Sequence, residues 1–115
     1  MQEKERQETR ERAQLLKLLR RSKELEACAE DDYRQLLQVI GDVLADARAE
    51  RGFKQQDFAA YCSMHKTTLC RMEKGARDVN FRNLCLLLSK LDMGLDEFFS
   101  EVCRVRRALK KLDGK

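Results

Sequence analysis

The stretch QQDFAAYCSMHKTTLCRMEKG, residues 55–75, decides the fold. Its spacing predicts a short helix over residues 55–61 and a four-residue turn, Cys62-Ser63-Met64-His65. A second short helix over residues 66–74 follows, closed by Gly75. Ala59 has to be small because two helices crossing so soon after a tight turn approach closely. Phe58, Met64, Leu69 and Met72 fall where they can fill the wedge between them.

Working outward, residues 33–50 carry Leu36, Leu37, Ile40, Val43, Leu44 and Ala47 at three- and four-residue steps, the pattern of a helix with one buried face. Gly52 is placed to end it as a left-handed cap. Downstream, residues 76–79 read as a loop and Asn80 as the N-cap of a helix to about Leu91. The inward face of that helix is expected to be Phe81, Leu84, Leu87, Leu88 and Leu91. Met93-Gly94-Leu95 turns into a last helix in which Val102, Val105, Leu109 and Leu112 keep a 3-4-3 heptad step. At the other end, residues 3–29 read as a helix whose first dozen positions are almost all polar. Leu15, Leu18, Leu19, Leu25 and Ala29 then form a stripe interrupted by Ser22. Asp31 or Asp32 can cap a new helix there, or the first helix can run straight through, since neither Gly nor Pro intervenes.

Composition agrees with an all-α chain. In 115 residues there is no proline, glycine occurs five times and aromatics make up 6%. That leaves little of the turn and β-branched chemistry that sandwiches and barrels need. No run of about 18 apolar residues exists, so no membrane span is expected, and the charged N-terminus does not read as a signal peptide. The five cysteines, Cys28, Cys62, Cys70, Cys85 and Cys103, include no zinc-type pair, and His65 is the only histidine. Neither a metal nor any other cofactor is expected. The thiols read as free, mostly buried and held in a reducing cytoplasm. No acid/base pair, Gly-rich phosphate loop or nucleophile set stands out, so the chain does not read as an enzyme.

Charge is uneven. Residues 1–30 hold eight basic and seven acidic side chains, residues 31–100 ten and eleven, and residues 101–115 six and two. These spans are taken as a helical extension, a central domain and a basic C-terminal helix. The central domain is not basic overall. From Lys54 to Arg77, though, five cations face only Asp57 and Glu73, a local basic patch.

Two short helices joined by a tight turn are the helix-turn-helix geometry, whose second helix fits the major groove of DNA. Here the sequence resembles the Cro and lambda-repressor type helix-turn-helix domains, from about Ile40 to Phe99. The resemblance is carried by four blocks at the right spacing. They are Gln55-x-x-Phe58-Ala59; Met64-His65-x-x-Thr68-Leu69-x-x-Met72-Glu73-x-Gly75; Asn80-Phe81-x-x-Leu84; and Leu95-Asp96-Glu97-Phe98-Phe99. His65-Lys66-Thr67 and Asp78-Val79-Asn80-Phe81 are also similar to restriction–modification controller proteins. The resemblance implies a five-helix lambda-repressor-like domain with extra helices at both ends. It also implies that Arg48 pairs with Glu73, tying the first helix to the recognition helix. Two positions depart from the family: Ser63 stands where the turn normally has Gly, and His65 where the helix cap is normally Ser or Thr.

Lys66, Thr67 and Arg71 share one outward face of the second helix, where they are positioned to read base edges: Arg71 a guanine, Thr67 a thymine methyl. Gln55, Lys54, His65, Lys74 and Arg77 are the candidate phosphate contacts. The expected function is a sequence-specific transcriptional regulator, a repressor binding a palindromic operator in double-stranded DNA as a homodimer. The competing expectation is a protein-interaction module, such as an antitoxin or co-regulator, whose extensions grip a partner. Leu15, Leu18, Leu19 and Leu25, with Val102, Val105, Leu109 and Leu112, are the expected dimerisation residues. The tail cations Arg104, Arg106, Arg107, Lys110 and Lys111 are expected on the outer face.

Overall fold

A computed structural model describes residues 2–76 and 78–114. Its five helices are α1 (Gln2–Glu50), α2 (Gln55–Tyr61), α3 (Lys66–Glu73), α4 (Phe81–Lys90) and α5 (Leu95–Gly114), with no strand among the described residues. The protein is all-α. Neither Asp31 nor Asp32 starts a new helix; with no Gly or Pro nearby, α1 has no local reason to break there. The extensions are thus parts of α1 and α5 rather than separate helices.

The chain divides into two units, one up to Tyr33 and one from Arg34 onward. In the first, every described side chain is exposed, including Leu15, Leu18, Leu19 and Leu25 at 52–65%. In the second, one core gathers side chains from all five helices. α1 supplies Val39, Ile40, Val43, Leu44 and Ala47, and α2 supplies Phe58 and Ala59, with Cys62 directly after it. Leu69 and Met72 come from α3, Leu84, Leu87 and Leu88 from α4, and Phe98 and Val102 from α5, with Leu91 beside them. Asn80 caps α4 through its side-chain oxygen, which accepts from the backbone N–H groups of Arg82 and Asn83 at 2.8 and 3.3 Å.

Four expectations need correction. Val102 is 1% exposed in the core, and Val105 and Leu109 pack against it. The heptad step at 102–112 therefore serves packing within the chain, and Val102 has no surface to offer a second copy; only Leu112, 74% exposed, lies free of the core. Phe81 is 71% exposed. It is the first residue of α4, directly after the Asn80 cap, and that helix reaches the core only from Leu84 onward. Three of the five thiols, Cys28, Cys85 and Cys103, are exposed; only Cys62 is buried. Finally, Arg106 is half-buried rather than outward, with its Nε enclosed and without a hydrogen-bond partner among the described residues.

Candidate nucleic-acid interface

The turn between α2 and α3 forms without glycine. Ser63 adopts a φ of 54°, in the left-handed region. That strain, of order 1 kcal/mol for a non-glycine residue, is held by backbone bonds: Ser63 N–H donates to Ala60 O at 3.1 Å and Met64 N–H to Ala59 O at 2.9 Å. His65 is the N-cap of α3, extended at φ −66° and ψ 138°, and its side chain makes no cap hydrogen bond. The imidazole is exposed, so the first N–H groups of α3 are not covered by it.

α3 buries Leu69 and Met72 and turns the exposed Lys66, Thr67, Arg71 and Lys74 the other way. Thr67 and Arg71 are four residues apart and so lie one above the other, with Lys66 beside them. Lys54, the N-cap of α2, is exposed as well. Arg77 lies outside the described residues.

What orients this face is a buried charged network behind it. Arg48 of α1 donates from Nε to Glu73 Oε2 at 2.7 Å and from Nη2 to Oε1 at 3.0 Å. Its third arm, Nη1, donates to Phe53 O at 2.7 Å. Gln55 Nε2 donates to Glu73 Oε1 at 3.0 Å. The Gln55 amide, expected on phosphate, is therefore engaged with Glu73, whose carboxylate the fold brings within hydrogen-bond distance. Phosphate contact by Gln55 is left to its remaining N–H groups.

The network also changes the local charge balance. Of the two acids between residues 54 and 77, Glu73 is buried and neutralised by Arg48, leaving Asp57 as the only exposed carboxylate in that segment among the described residues. A surface carrying Lys54, Lys66, Arg71 and Lys74 against one carboxylate suits a polyanion.

Gly41, which the sequence reading passed over, completes the site. A Cβ there would lie 2.5 Å from Glu73 O and 2.6 Å from Met72 O, and a Cβ on Gly75 would lie 2.8 Å from Gln38 Cα. α1 thus seats the C-terminal end of α3 backbone to backbone. Below α2, Phe53 stacks on Tyr61 at 5.6 Å, and Lys90 Nζ sits 4.5 Å over the Tyr61 ring. Among the described residues no group of three or more His, Cys, Asp or Glu side chains is placed to hold a metal ion, and no helix is long and apolar enough to cross a membrane.

The fold has clear relatives. Residues 44–98 match the Helix-turn-helix family model. Among solved structures, the clp gene regulator ClgR from Corynebacterium glutamicum is similar at 20% identity and a TM-score of 0.60, covering 68% of this chain and 86% of that one. The restriction-modification controller protein C.AhdI from Aeromonas hydrophila is 26% identical, with a TM-score of 0.54 and coverage of 59% and 97%. The controller protein C.Esp1396I, in a structure bound to a 25 base pair operator site, is 25% identical, with a TM-score of 0.55 and coverage of 60% and 91%. No curated protein matches the chain. Over residues 44–98, just under half of its length, this chain is similar to the helix-turn-helix domains of the Cro/C1 type.

Proposed function

We propose that the protein is a sequence-specific DNA-binding transcriptional regulator that lays α3 in the major groove. The observation that carries this reading is the exposed Lys66, Thr67 and Arg71 face, held from behind by the buried Arg48–Glu73 pair. Arg71 is suited to the N7 and O6 acceptors of guanine, Thr67 to a thymine methyl, and Lys66 to an acceptor beside them. Lys54, His65 and Lys74 flank that face and grip phosphates, and Arg77, the next cation in the sequence, is assigned the same role; they set position and affinity rather than sequence. The operator-bound structure of the related C.Esp1396I supports the assignment of DNA as partner.

One such helix reads only a few base pairs, so the protein acts as a homodimer on a palindromic operator, with half-sites about one helical turn apart. Repression follows where that operator overlaps a promoter. Nothing in the reading requires a cofactor. The test is selection of bound sequences from random duplexes with the full-length chain. The expected result is a two-fold symmetric consensus whose half-sites lie about 10 base pairs apart. Recovery of an unselected pool overturns the reading in favour of a protein-binding module.

A further inference from the structure

The unit up to Tyr33 is one helical segment, all of whose described side chains are exposed, five leucines among them. A solitary helix of this kind has only weak support from its own side-chain pairs; helices in water are sustained by burying an apolar face. Written as heptads with Leu15 at position a, Leu18 is d, Ser22 is a, Leu25 is d and Ala29 is a. The 3-4-3-4 step continues without a break. Leu19 falls at e and widens the seam.

The flanking charges choose the occupant. Arg21 falls at g and Glu26 at e of the next heptad. In a parallel two-stranded coil, g of one helix meets the following e of its neighbour. Two copies in register therefore place Arg21 of each chain against Glu26 of the other, giving two opposite-charge contacts by symmetry. Neither side chain has a hydrogen-bond or ion-pair partner among the described residues to compete for it. Laid antiparallel with Leu15 paired to Leu25, g meets g, and Arg21 faces Arg21, a like-charge contact. The parallel register also stacks Ser22 on Ser22, so the one polar residue of the seam meets its equal instead of a leucine. A single polar a position of this kind fixes alignment at some cost in stability.

We infer that residues 15–29 form a parallel, in-register two-stranded coiled coil with a second copy of this chain. The inference deepens the homodimeric part of the function proposed above, supplying its interface, and does not depend on what α3 binds.

Sedimentation equilibrium of the full-length chain at low ionic strength tests it, with R21E and E26R as the variants. Wild type is expected to dimerise. Each single variant sets like charge against like at both contacts, and is expected to raise the dimer dissociation constant about tenfold. Mixing R21E with E26R in equal amounts recreates both opposite-charge contacts between unlike chains. The mixture is expected to return to within about twofold of wild type, which a variant that merely folds badly does not do. A wild-type monomer at tens of micromolar overturns the inference; so do single variants that dimerise as tightly as wild type, or a mixture that fails to recover. Binding of a single half-site duplex is expected to be the same for all four samples. Absence of any sequence preference there overturns the reading of α3 and leaves the sedimentation result standing.

Discussion

Arg48 and Glu73, 25 residues apart, meet in a two-point bridge with N–O distances of 2.7 and 3.0 Å, their side chains 15% and 6% exposed. The planar guanidinium and the carboxylate fix each other in angle as well as distance. The bridge therefore sets the orientation of α3 on α1, and with it the direction in which Lys66, Thr67 and Arg71 point. It also removes a carboxylate from the face that would meet phosphate.

Breaking that bridge from one side leaves a buried charge alone. Glu73→Ala is expected to lower stability by about 3 kcal/mol, since buried pairs lose roughly 3–5 kcal/mol on removal of one partner and Arg48 retains some access to water. Urea unfolding measures it. Replacing both partners, as in Arg48→Met with Glu73→Leu, is expected to recover most of the loss. Wild-type stability in Glu73→Ala would show that the bridge is not structural.

Base reading and phosphate grip separate in their salt dependence. Arg71→Ala and Lys66→Ala are each expected to weaken binding to the selected operator by about 1–3 kcal/mol, while random duplex binding changes far less. Lys54→Ala and Lys74→Ala are expected to weaken both alike and to lower the salt slope by about one unit each. Titrations at several salt concentrations distinguish the two classes. An Arg71→Ala variant with unchanged base preference would mean that another face docks.

The helix order and the α2–α3 turn are legible in the sequence because they rest on local signals: period, caps and a tight spacer. Ser63 at positive φ is what the resemblance implies, since it stands where that turn normally has Gly. What escapes is set by distant neighbours. Phe81 and Val102 both sit on apolar faces, yet one is 71% exposed and the other 1%, and that difference depends on which side chains the rest of the chain covers. Gln55 stands at a helix start, where phosphate is a reasonable partner. Only the folded chain brings Glu73 to 3.0 Å from its amide. Gly41 carries no signal at all until Met72 and Glu73 are seen against it.

The Cys62 thiol has its pKa raised by burial, against a smaller opposing pull from Lys90. In the unfolded chain it titrates at the ordinary thiol value, about 8.5. The stability gained from keeping it neutral is fully present below that value and declines as pH rises through the folded value. The urea midpoint is therefore expected to fall as pH rises above about 8.5. Cys62→Ala, though less stable at every pH because of the cavity it leaves, is expected to show a shallower fall. Thiol labelling at pH 8 gives an independent check: Cys28, Cys85 and Cys103 react at once, and Cys62 only as fast as the domain unfolds. Immediate labelling of Cys62 would contradict its burial.

Gly41→Ala tests whether the seating of α3 on α1 controls recognition. The added methyl would lie 2.5 and 2.6 Å from the carbonyl oxygens of Glu73 and Met72, and both are backbone atoms of α3 that no rotamer change can move aside. The helix itself has to shift. Overpacking of this kind costs about 1–3 kcal/mol. Displacing α3 also carries Lys66, Thr67 and Arg71 away from the base edges, although Gly41 itself lies on the opposite side of that helix. The variant is thus expected to lose both stability and operator affinity, and to lose affinity even when binding is scaled to the folded fraction. Gly52→Ala is the control. Gly52 has a φ of 79° with nothing within 4 Å of a Cβ, so alanine there is expected to cost about 1 kcal/mol through backbone strain alone and leave operator affinity per folded molecule unchanged. If Gly41→Ala keeps wild-type affinity per folded molecule, the position of α3 on α1 does not set recognition, and the Arg48–Glu73 bridge is left with a role in stability only.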